Sequence, residues 1–467
     1  MNHILFVVFI VAMLSACSSG RSTQKPADSR ARQTAQAEPR STGQRTSELP
    51  TRPGDSPNAT DRNRVNPADA SAPTSMAAAQ TWTVTSVKGK FLAIDTTTVR
   101  VYLNVTTLRP DGTDLLSISE LGENFLVNYV VYPDYSSRER LAYGNVPLTV
   151  QSVTRIGTEN YLTISFDLKR PKDALNGVLL TEITETTTGK KSLNDLPIRF
   201  KTSKMSDRFA LFDANTSLPQ LRNYAHAGDT ILLRDVAGTQ KPLYAFRYKH
   251  DFEAASSPMN TAARPAAKTL AVDSMLTLSA NQPFVLPGQG LYFFLEDTTD
   301  TYGMGVVVAD RRFPKLTRPE KLIKPVLYMS TGSEVNELNQ AKDPKKALDR
   351  YWLSLLSGNE AVANRTIRTY YDRVEEANRL FTSYKEGWKT DKGMIFIILG
   401  APDRVQRSRD REVWVYNRRA NVSEINFTFN RKPNQFVEDH YELVRYAEYQ
   451  PIWYPIVEAW RTGAIRE

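Results

Sequence analysis

The chain has 467 residues, of which 41% are hydrophobic and 24% charged, with 60 Lys and Arg against 51 Asp and Glu. At roughly 150 residues per domain this length predicts about three domains, and the composition excludes a protein built mainly of membrane-spanning helices. The chain has one cysteine, which excludes a disulfide within the chain, and only four histidines. We therefore expect no cofactor and no metal site made of cysteine and histidine ligands.

The N-terminus carries an uninterrupted apolar run over residues 4–14. A bilayer span needs about 20 apolar residues, so this shorter run predicts a signal peptide over residues 1–16. The run ends in Leu14-Ser15-Ala16-Cys17, which resembles the lipobox of bacterial lipoproteins. That resemblance implies cleavage before Cys17 and acylation of its thiol and amine, with palmitate among the acyl chains. An ordinary secretory signal is the alternative.

The expected lipid anchor at Cys17 would hold the chain on a membrane without spanning it. In lipoproteins of the Bacteroidetes type, acidic residues after the lipidated cysteine favour export to the cell surface. Ser18 follows Cys17 here, and no acidic cluster comes after it. We therefore expect the outer membrane, facing the periplasm, with surface exposure as the alternative.

Residues 17–80 are rich in Ser, Thr, Ala, Pro, Arg and Gln, and Leu49 and Val65 are almost their only large aliphatic residues. Such a segment cannot bury enough apolar surface to offset its chain entropy. We predict that it is a disordered tether. It is either an inert spacer or a segment that contacts anionic lipid or cell-wall polymer.

Short β-rich runs separated by turn residues follow the tether. The first group lies at residues 81–87, 91–103, 125–132, 150–154, 161–168 and 178–186, and the second at 209–212, 230–233, 243–248, 274–278, 290–295 and 303–309. Short strands at this spacing are typical of antiparallel sandwiches. We therefore predict two Ig-like β-sandwich modules, over residues 81–203 and 204–315.

The hydrophobic period changes in the last third of the chain. Residues 345–356 and 365–384 each place their apolar side chains on one helical stripe. The strand-like runs that come after them lie at residues 394–399, 413–416, 425–429 and 441–445. Helices followed by a meander predict a compact α+β domain over residues 316–467.

The most specific motif in the chain is Gly387-Trp388-Lys389-Thr390-Asp391, with Gly393 and Gly400-Ala401-Pro402-Asp403 after it. It resembles the GWxTD domain family, found in lipoproteins and secreted proteins largely of Bacteroidetes and related bacteria. The resemblance covers roughly residues 322–449. It implies a domain of this family, but the family carries no biochemical function over to this chain.

Two interpretations of the motif remain open. In the structural one, Gly387 adopts a left-handed turn, Trp388 covers the sheet, and Thr390 and Asp391 hydrogen-bond to nearby backbone. Gly393 then permits a close approach before a buried strand at 394–399. In the recognition interpretation, the side chains that line a groove at one end of the sheet are Lys389, Asp391, Lys392 and Asp403.

The turn at residues 399–403, together with residues 414–416 and 426–429, also resembles small lipoproteins that assist outer-membrane β-barrel assembly. Those proteins have a helix ahead of the turn, whereas residues 394–399 here predict a strand. We take this resemblance as an indication of the kind of partner only.

The sequence contains no recognisable catalytic motif. Three functions remain open. The first is a non-enzymatic envelope scaffold that binds a protein partner. The second is a glycan-binding or cell-wall-binding module that uses Trp388 and Trp453. The third is a hydrolase, whose candidate residues are Glu375, Asp391, Asp403 and His440. Because the basic cluster at residues 404–419 is interspersed with acids, we expect no nucleic acid partner.

Overall fold

The computed structural model describes residues 82–109, 116–155, 160–202, 204–213, 218–262, 269–356, 359–417 and 424–465. The predicted signal peptide, the predicted tether and Cys17 lie outside the described residues. All of the described residues belong to one compact unit, Ser75–Glu467. Within these ranges, every helix is too short or too polar to cross a membrane.

The first β region consists of two four-stranded antiparallel sheets. Its elements are β1 (Thr83–Ala93), β2 (Thr98–Leu108), α1 (Ile118–Asn124), β3 (Phe125–Tyr132), β4 (Ala142–Val146), β5 (Val153–Arg155), β6 (Tyr161–Lys169), β7 (Asn176–Glu185) and β8 (Lys191–Arg199). One sheet has the order β1-β2-β6-β5 and the other β4-β3-β7-β8. Buried residues of both sheets, such as Leu103 and Val131, form a single core.

The predicted strand over residues 91–103 is in fact two strands. The Asp95 carboxylate accepts hydrogen bonds from the Thr97 amide at 2.6 Å and the Thr97 hydroxyl at 2.7 Å. This local turn reverses the chain between β1 and β2. The two strands then pair as a hairpin, with Phe91 opposite Val101.

The second β region contains a three-stranded sheet and a five-stranded sheet. Its elements are α2 (Met205–Arg208), β9 (Phe209–Asp213), β10 (Tyr224–His226), β11 (Thr230–Asp235), β12 (Pro242–Tyr248), β13 (Ser274–Ser279), β14 (Pro283–Val285), β15 (Gly290–Leu295) and β16 (Met304–Ala309). The orders are β14-β11-β9 and β10-β16-β15-β12-β13. The pairing is antiparallel except between β10 and β16, which are parallel.

Strands β15 and β16 are buried on both faces of the five-stranded sheet. Tyr292 and Val306 belong to the core of the second β region, whereas Phe293 and Val307 belong to the core of the C-terminal region. Because alternate residues of a strand point to opposite faces, this sheet separates two hydrophobic cores. The predicted boundary between residues 315 and 316 therefore lies within a continuous core.

The C-terminal region begins with helices and ends with a four-stranded antiparallel sheet of order β17-β18-β19-β20 and a final helix. Its elements are α3 (Pro319–Leu322), α4 (Gly332–Gln340), α5 (Pro344–Leu355), α6 (Glu360–Phe381), α7 (Asp391–Leu399), β17 (Arg404–Arg407), β18 (Arg411–Tyr416), β19 (Ile425–Arg431), β20 (Tyr441–Leu443) and α8 (Gln450–Arg461). One-turn 3₁₀ helices lie at Pro325–Tyr328, Gly387–Lys389 and Ala447–Tyr449. The antiparallel sheets and the helical C-terminal region were predicted, and the structure confirms them.

The prediction of a strand at residues 394–399 is wrong, because these residues form most of α7. Met394, Ile395, Ile397 and Ile398 are all fully buried. A run that is apolar on every side has no hydrophobic period, so a buried helix and a buried strand cannot be distinguished from it. The helical conformation is set just before the run, where Thr390 caps the helix N-terminus.

Candidate functional site

Gly387 begins the motif against the end of α6. A Cβ atom at this position would lie 2.0 Å from the Ala377 carbonyl oxygen, so any side chain would collide with the α6 backbone. Gly387 is absent from the residues with positive φ, which corrects the predicted left-handed turn. A side chain at Gly393 is excluded in the same way, since its Cβ would lie 2.0 Å from the Gly387 carbonyl oxygen. The two glycines let α6, the motif turn and α7 pack directly on one another.

Trp388 is buried and held by polar contacts at both backbone groups and at its ring. Its amide donates to the Asn378 side-chain oxygen at 3.0 Å, and its carbonyl accepts from the Tyr328 hydroxyl at 2.7 Å. The indole N–H donates to the Glu386 carboxylate at 2.9 Å. With an exposed fraction of 4%, the ring belongs to the core.

Thr390 and Asp391 connect the motif turn to α7 and β20. The Thr390 hydroxyl accepts from the Gly393 amide at 3.0 Å and donates to the Gly387 carbonyl at 2.7 Å, which caps α7. One Asp391 oxygen accepts from the Leu443 amide at 2.8 Å, and the carboxylate forms an ion pair with Arg445 that is almost fully buried. The predicted hydrogen bond to nearby backbone is therefore present for Thr390. Asp391 instead binds the amide of a residue distant in sequence, Leu443, and fixes the helix start against the sheet.

The two lysines of the motif point to different surroundings. Lys389 forms ion pairs with Asp251 and, at 3.1 Å, with Glu386. Burial opposes the charge on Lys389, but these carboxylates outweigh it, so its pKa is raised. The Lys392 ammonium lies 3.0 Å from the Glu412 carboxylate and 3.9 Å from the centre of the Tyr441 ring. Burial is the largest influence on Lys392 and lowers its pKa despite Glu412.

The downstream turn closes α7 and leads into the sheet. Gly400 has φ of +85°, which a glycine adopts at little cost, and its carbonyl accepts from the Tyr416 hydroxyl at 2.9 Å. The Asp403 carboxylate accepts from the Asn417 amide at 2.7 Å. Asp403 therefore links the residue before β17 to the residue after β18, at the open end of that hairpin.

A cleft of about 770 Å³ lies beside the motif, and we call it the motif cleft. Its walls come from β1 and β8 of the first β region, from residues 220–223 and 303–305 of the second, and from the C-terminal region. The motif residues and neighbours that line it are Thr390, Asp391, Lys392, Ala401 and Pro402. Of the four residues of the recognition interpretation, Asp391 and Lys392 line the motif cleft, whereas Lys389 and Asp403 do not.

Ion pairs between the first β region and the C-terminal region span the motif cleft. Arg407 lies 2.6 Å from Asp195 and 3.3 Å from Glu412. The Tyr135 hydroxyl donates to the other Asp195 oxygen at 2.7 Å, and burial together with that carboxylate raises the pKa of Tyr135. Burial alone would raise the pKa of Glu412, but Lys392 and Arg407 hold it below its usual range.

A second group of charges spans the motif cleft nearer α2. Arg199 forms an ion pair with Asp207, whose side chain is fully buried, and lies 2.7 Å from Glu438. Glu438 also accepts a hydrogen bond from the Ser206 hydroxyl at 2.6 Å. Burial opposes the charge on Glu438, yet Arg199 and the hydrogen bond from Ser206 keep its pKa lowered.

Two lysines of β1 also line the motif cleft, and the sequence analysis missed them. The Lys88 ammonium donates to the Arg379 carbonyl oxygen at 2.7 Å, at the C-terminal end of α6. Burial, with a contribution from Arg379, lowers the pKa of Lys88 to about 8. Burial also lowers the pKa of Lys90. The two lysines could have been found from the strand sequence Val87-Lys88-Gly89-Lys90-Phe91, because alternate residues of a strand lie on one face.

The residues proposed for a hydrolase do not converge. Asp391 and His440 line the motif cleft, whereas Glu375 and Asp403 do not. The His440 ring lies 3.3 Å from the Glu442 carboxylate and edge-on to the Tyr384 ring. In the part of the chain that the structure describes, no group of three or more His, Cys, Asp or Glu side chains could hold a metal ion.

The GWxTD domain family model matches residues 290–462, a range that starts at β15, whose alternate residues complete the C-terminal core. A comparison with curated proteins finds no match. Among solved structures, the chain is similar to Tp47, the 47-kilodalton lipoprotein of Treponema pallidum, with 13% sequence identity and a TM-score of 0.21. That match covers 50% of this chain and 52% of Tp47, so it spans about half of each protein. This chain is therefore a GWxTD domain-containing protein.

Proposed function

We propose that this chain is a lipid-anchored, non-enzymatic protein of the cell envelope whose motif cleft binds a segment of a protein partner. The lipobox-like sequence at Cys17 supports the anchor. The observation that carries the binding role is the motif cleft itself, which three parts of the chain build beside the family's defining motif.

The size and the construction of the motif cleft favour binding. Its volume of about 770 Å³ falls within the range of about 300–1,000 Å³ that is usual for ligand sites. Ion pairs such as Arg407 with Asp195 and Arg199 with Glu438 hold its walls together. A site with fixed walls loses little conformational freedom when a ligand binds.

The acidic side chains of the motif cleft favour binding over hydrolysis. A general acid or base needs a carboxyl group within reach of the substrate. Asp391 is engaged by Arg445 and by the Leu443 amide. Glu412 is engaged by Lys392 and by the Trp414 indole N–H. These contacts give the carboxylates structural roles.

A protein partner is favoured over a glycan because the two tryptophans proposed for sugar stacking are both buried. Trp388 and Trp453 each have an exposed fraction of 4%, so neither presents a ring face to a sugar. In the small lipoproteins that assist β-barrel assembly, a helix precedes the turn that corresponds to residues 399–403. Helix α7 precedes this turn here as well, so the predicted strand no longer distinguishes this chain from them. That similarity supports an envelope protein as the partner.

A photo-crosslinking amino acid at Asp439 tests the binding role in native cells. Asp439 lines the motif cleft, and its side chain is 84% exposed, so the crosslinker reaches a bound segment without disturbing the core. We expect one discrete protein adduct. The matched control is a crosslinker at Lys172, an exposed residue that does not line the cleft. Equal adducts at both sites, or none at Asp439, would contradict the proposal.

Cell fractionation of Cys17→Ala tests the anchor separately. Without the thiol there is no acylation site, so we expect the protein to leave the membrane fraction and to appear in the soluble fraction. The wild-type chain serves as the control. An unchanged distribution of the variant between the two fractions would rule out a lipid anchor at Cys17.

A further inference from the structure

Lys88 and Lys90 present two ammonium groups to the motif cleft from one strand. They lie two residues apart on β1 and both line the cleft. Residues i and i+2 of a strand share a face and are separated by roughly 6.5–7 Å. Two acidic side chains at alternate positions of an extended peptide have the same spacing.

The Lys90 ammonium has no hydrogen bond and no ion pair within the described residues, since the acids around it are bound to other cations. Asp207 and Glu438 are paired with Arg199, and Asp439 lies 3.4 Å from Arg431. Lys88 uses one N–H for the Arg379 carbonyl, and an ammonium has three. Both lysines therefore retain donors for a ligand.

The overall charge of the motif cleft also favours an anionic ligand. Nine basic residues line it against six acidic ones. Burial lowers the pKa of both Lys88 and Lys90, so their charges are poorly hydrated. A poorly hydrated ammonium gains more from a carboxylate than an exposed one does.

We propose that the partner segment is extended and carries acidic side chains at alternate positions, which bind Lys88 and Lys90. This inference rests on the proposed function. Free phosphate would satisfy the same donors, but it would occupy only one position. A peptide with acids at i and i+2 engages both lysines at once.

Fluorescence anisotropy with the full chain in detergent tests this inference. The probes are a labelled peptide with glutamate at every second position, the same peptide with glutamine, and inorganic phosphate as a competitor. We expect the glutamate peptide to bind and the glutamine peptide not to bind. We expect phosphate to compete only weakly. Equal binding of the two peptides, or displacement of the glutamate peptide by equimolar phosphate, would overturn the inference.

Substitution of Lys90 assigns the binding to the motif cleft. We expect Lys90→Gln to weaken glutamate-peptide binding about tenfold, as the loss of one charge-assisted hydrogen bond does. Lys90→Arg should retain binding, and Lys172→Gln should leave it unchanged. Because Lys90 has no hydrogen bond or ion pair to lose within the described residues and burial disfavours its charge, Lys90→Gln should be at least as stable to unfolding as the wild type. Unchanged binding by Lys90→Gln would overturn the inference.

The crosslinking experiment at Asp439 separates this inference from the proposed function. A partner captured equally by wild type and by Lys90→Gln would overturn the acidic-segment inference and leave the binding role standing. Binding of the glutamate peptide with no partner captured in cells would support the inference about charge and contradict the binding role.

Discussion

Gly387 and Gly393 show how a single atom determines the packing of the motif. At both positions the limit is a carbonyl oxygen that a Cβ atom would approach to 2.0 Å. The Ala377 carbonyl belongs to α6, and the Gly387 carbonyl accepts from the Thr390 amide and hydroxyl, so neither can move aside without breaking hydrogen bonds. The glycines of the motif therefore serve close packing, and only Gly400 serves a positive φ.

Substitution of Gly387 tests this explanation. We expect Gly387→Ala to lower the free energy of unfolding by about 3 kcal/mol, because overpacking shifts the backbone of α6 or of the motif turn. Chemical denaturation followed by circular dichroism measures it. The matched control is Gly332→Ala, since a Cβ at Gly332 meets no atom within 4 Å. A loss at Gly387 no larger than at Gly332 would contradict the close-packing explanation.

At the scale of elements, the first long helix of the C-terminal region is held to the last one. Glu334 of α4 forms two hydrogen bonds with Arg461 of α8, at 2.8 and 2.9 Å. The same carboxylate accepts from the Thr331 amide at 2.7 Å and completes the capping box of α4. Arg461, with help from Thr331, lowers the pKa of Glu334 to about 2.

This lowered pKa predicts how stability depends on pH. Glu334 stays ionised in the folded state below its usual pKa of 4.5, whereas it becomes protonated in the unfolded state. Its contribution is therefore complete above about pH 4.5 and is lost as the pH falls towards 2. Because the side chain is about a quarter exposed, we expect this loss to be about 2 kcal/mol.

Unfolding free energies measured at pH 6, above the usual pKa of Glu334, and at pH 3, between its usual and its lowered pKa, test the prediction. We expect Glu334→Gln to be less stable than the wild type at pH 6, with a smaller loss of stability on acidification. Glu337→Gln, a change at an exposed residue of the same helix, is the control. Parallel pH curves for Glu334→Gln and wild type would refute the assignment.

At the scale of the whole molecule, the end of α6 joins all three parts of the chain. Lys88 of the first β region donates to the Arg379 carbonyl at 2.7 Å, and Asn223 of the second donates to the Thr382 carbonyl at 3.3 Å. The last carbonyls of a helix have no partner within the helix. Here they are bound by residues distant in sequence, which positions the walls of the motif cleft.

The contact between the first β region and the GWxTD domain can be tested through Asp195 and Arg407. Asp195 is only 15% exposed and lies 2.6 Å from Arg407, so we expect a double-mutant cycle with alanine to give a coupling of about 1 kcal/mol. The control is the pair of Arg100 and Asp167, which lies within one sheet and is more exposed, with a coupling below about 0.5 kcal/mol. No coupling between Asp195 and Arg407 in denaturation experiments would contradict this docking.

Local patterns in the sequence were sufficient for much of the fold. The apolar stripes of residues 345–356 and 365–384 predicted α5 and α6, and the alternation at residues 161–168 predicted β6. The motif predicted the GWxTD domain, which the family match confirms. Such features depend on spacing along the chain, so they can be recognised without tertiary contacts.

The motif cleft depends on tertiary contacts, which the spacing of residues along the chain does not reveal. Residues 394–399 are apolar throughout, so their own pattern does not distinguish a helix from a strand, and the Thr390 cap together with tertiary packing decides for the helix. The lipobox at Cys17 is an inference from the sequence alone. The motif cleft is a product of the tertiary structure, because Lys90, Arg199 and Glu438 are far apart in sequence. Their proximity arises where β1, β8 and the GWxTD domain pack together. The charges and donors of the motif cleft could therefore not be assigned before that packing was known.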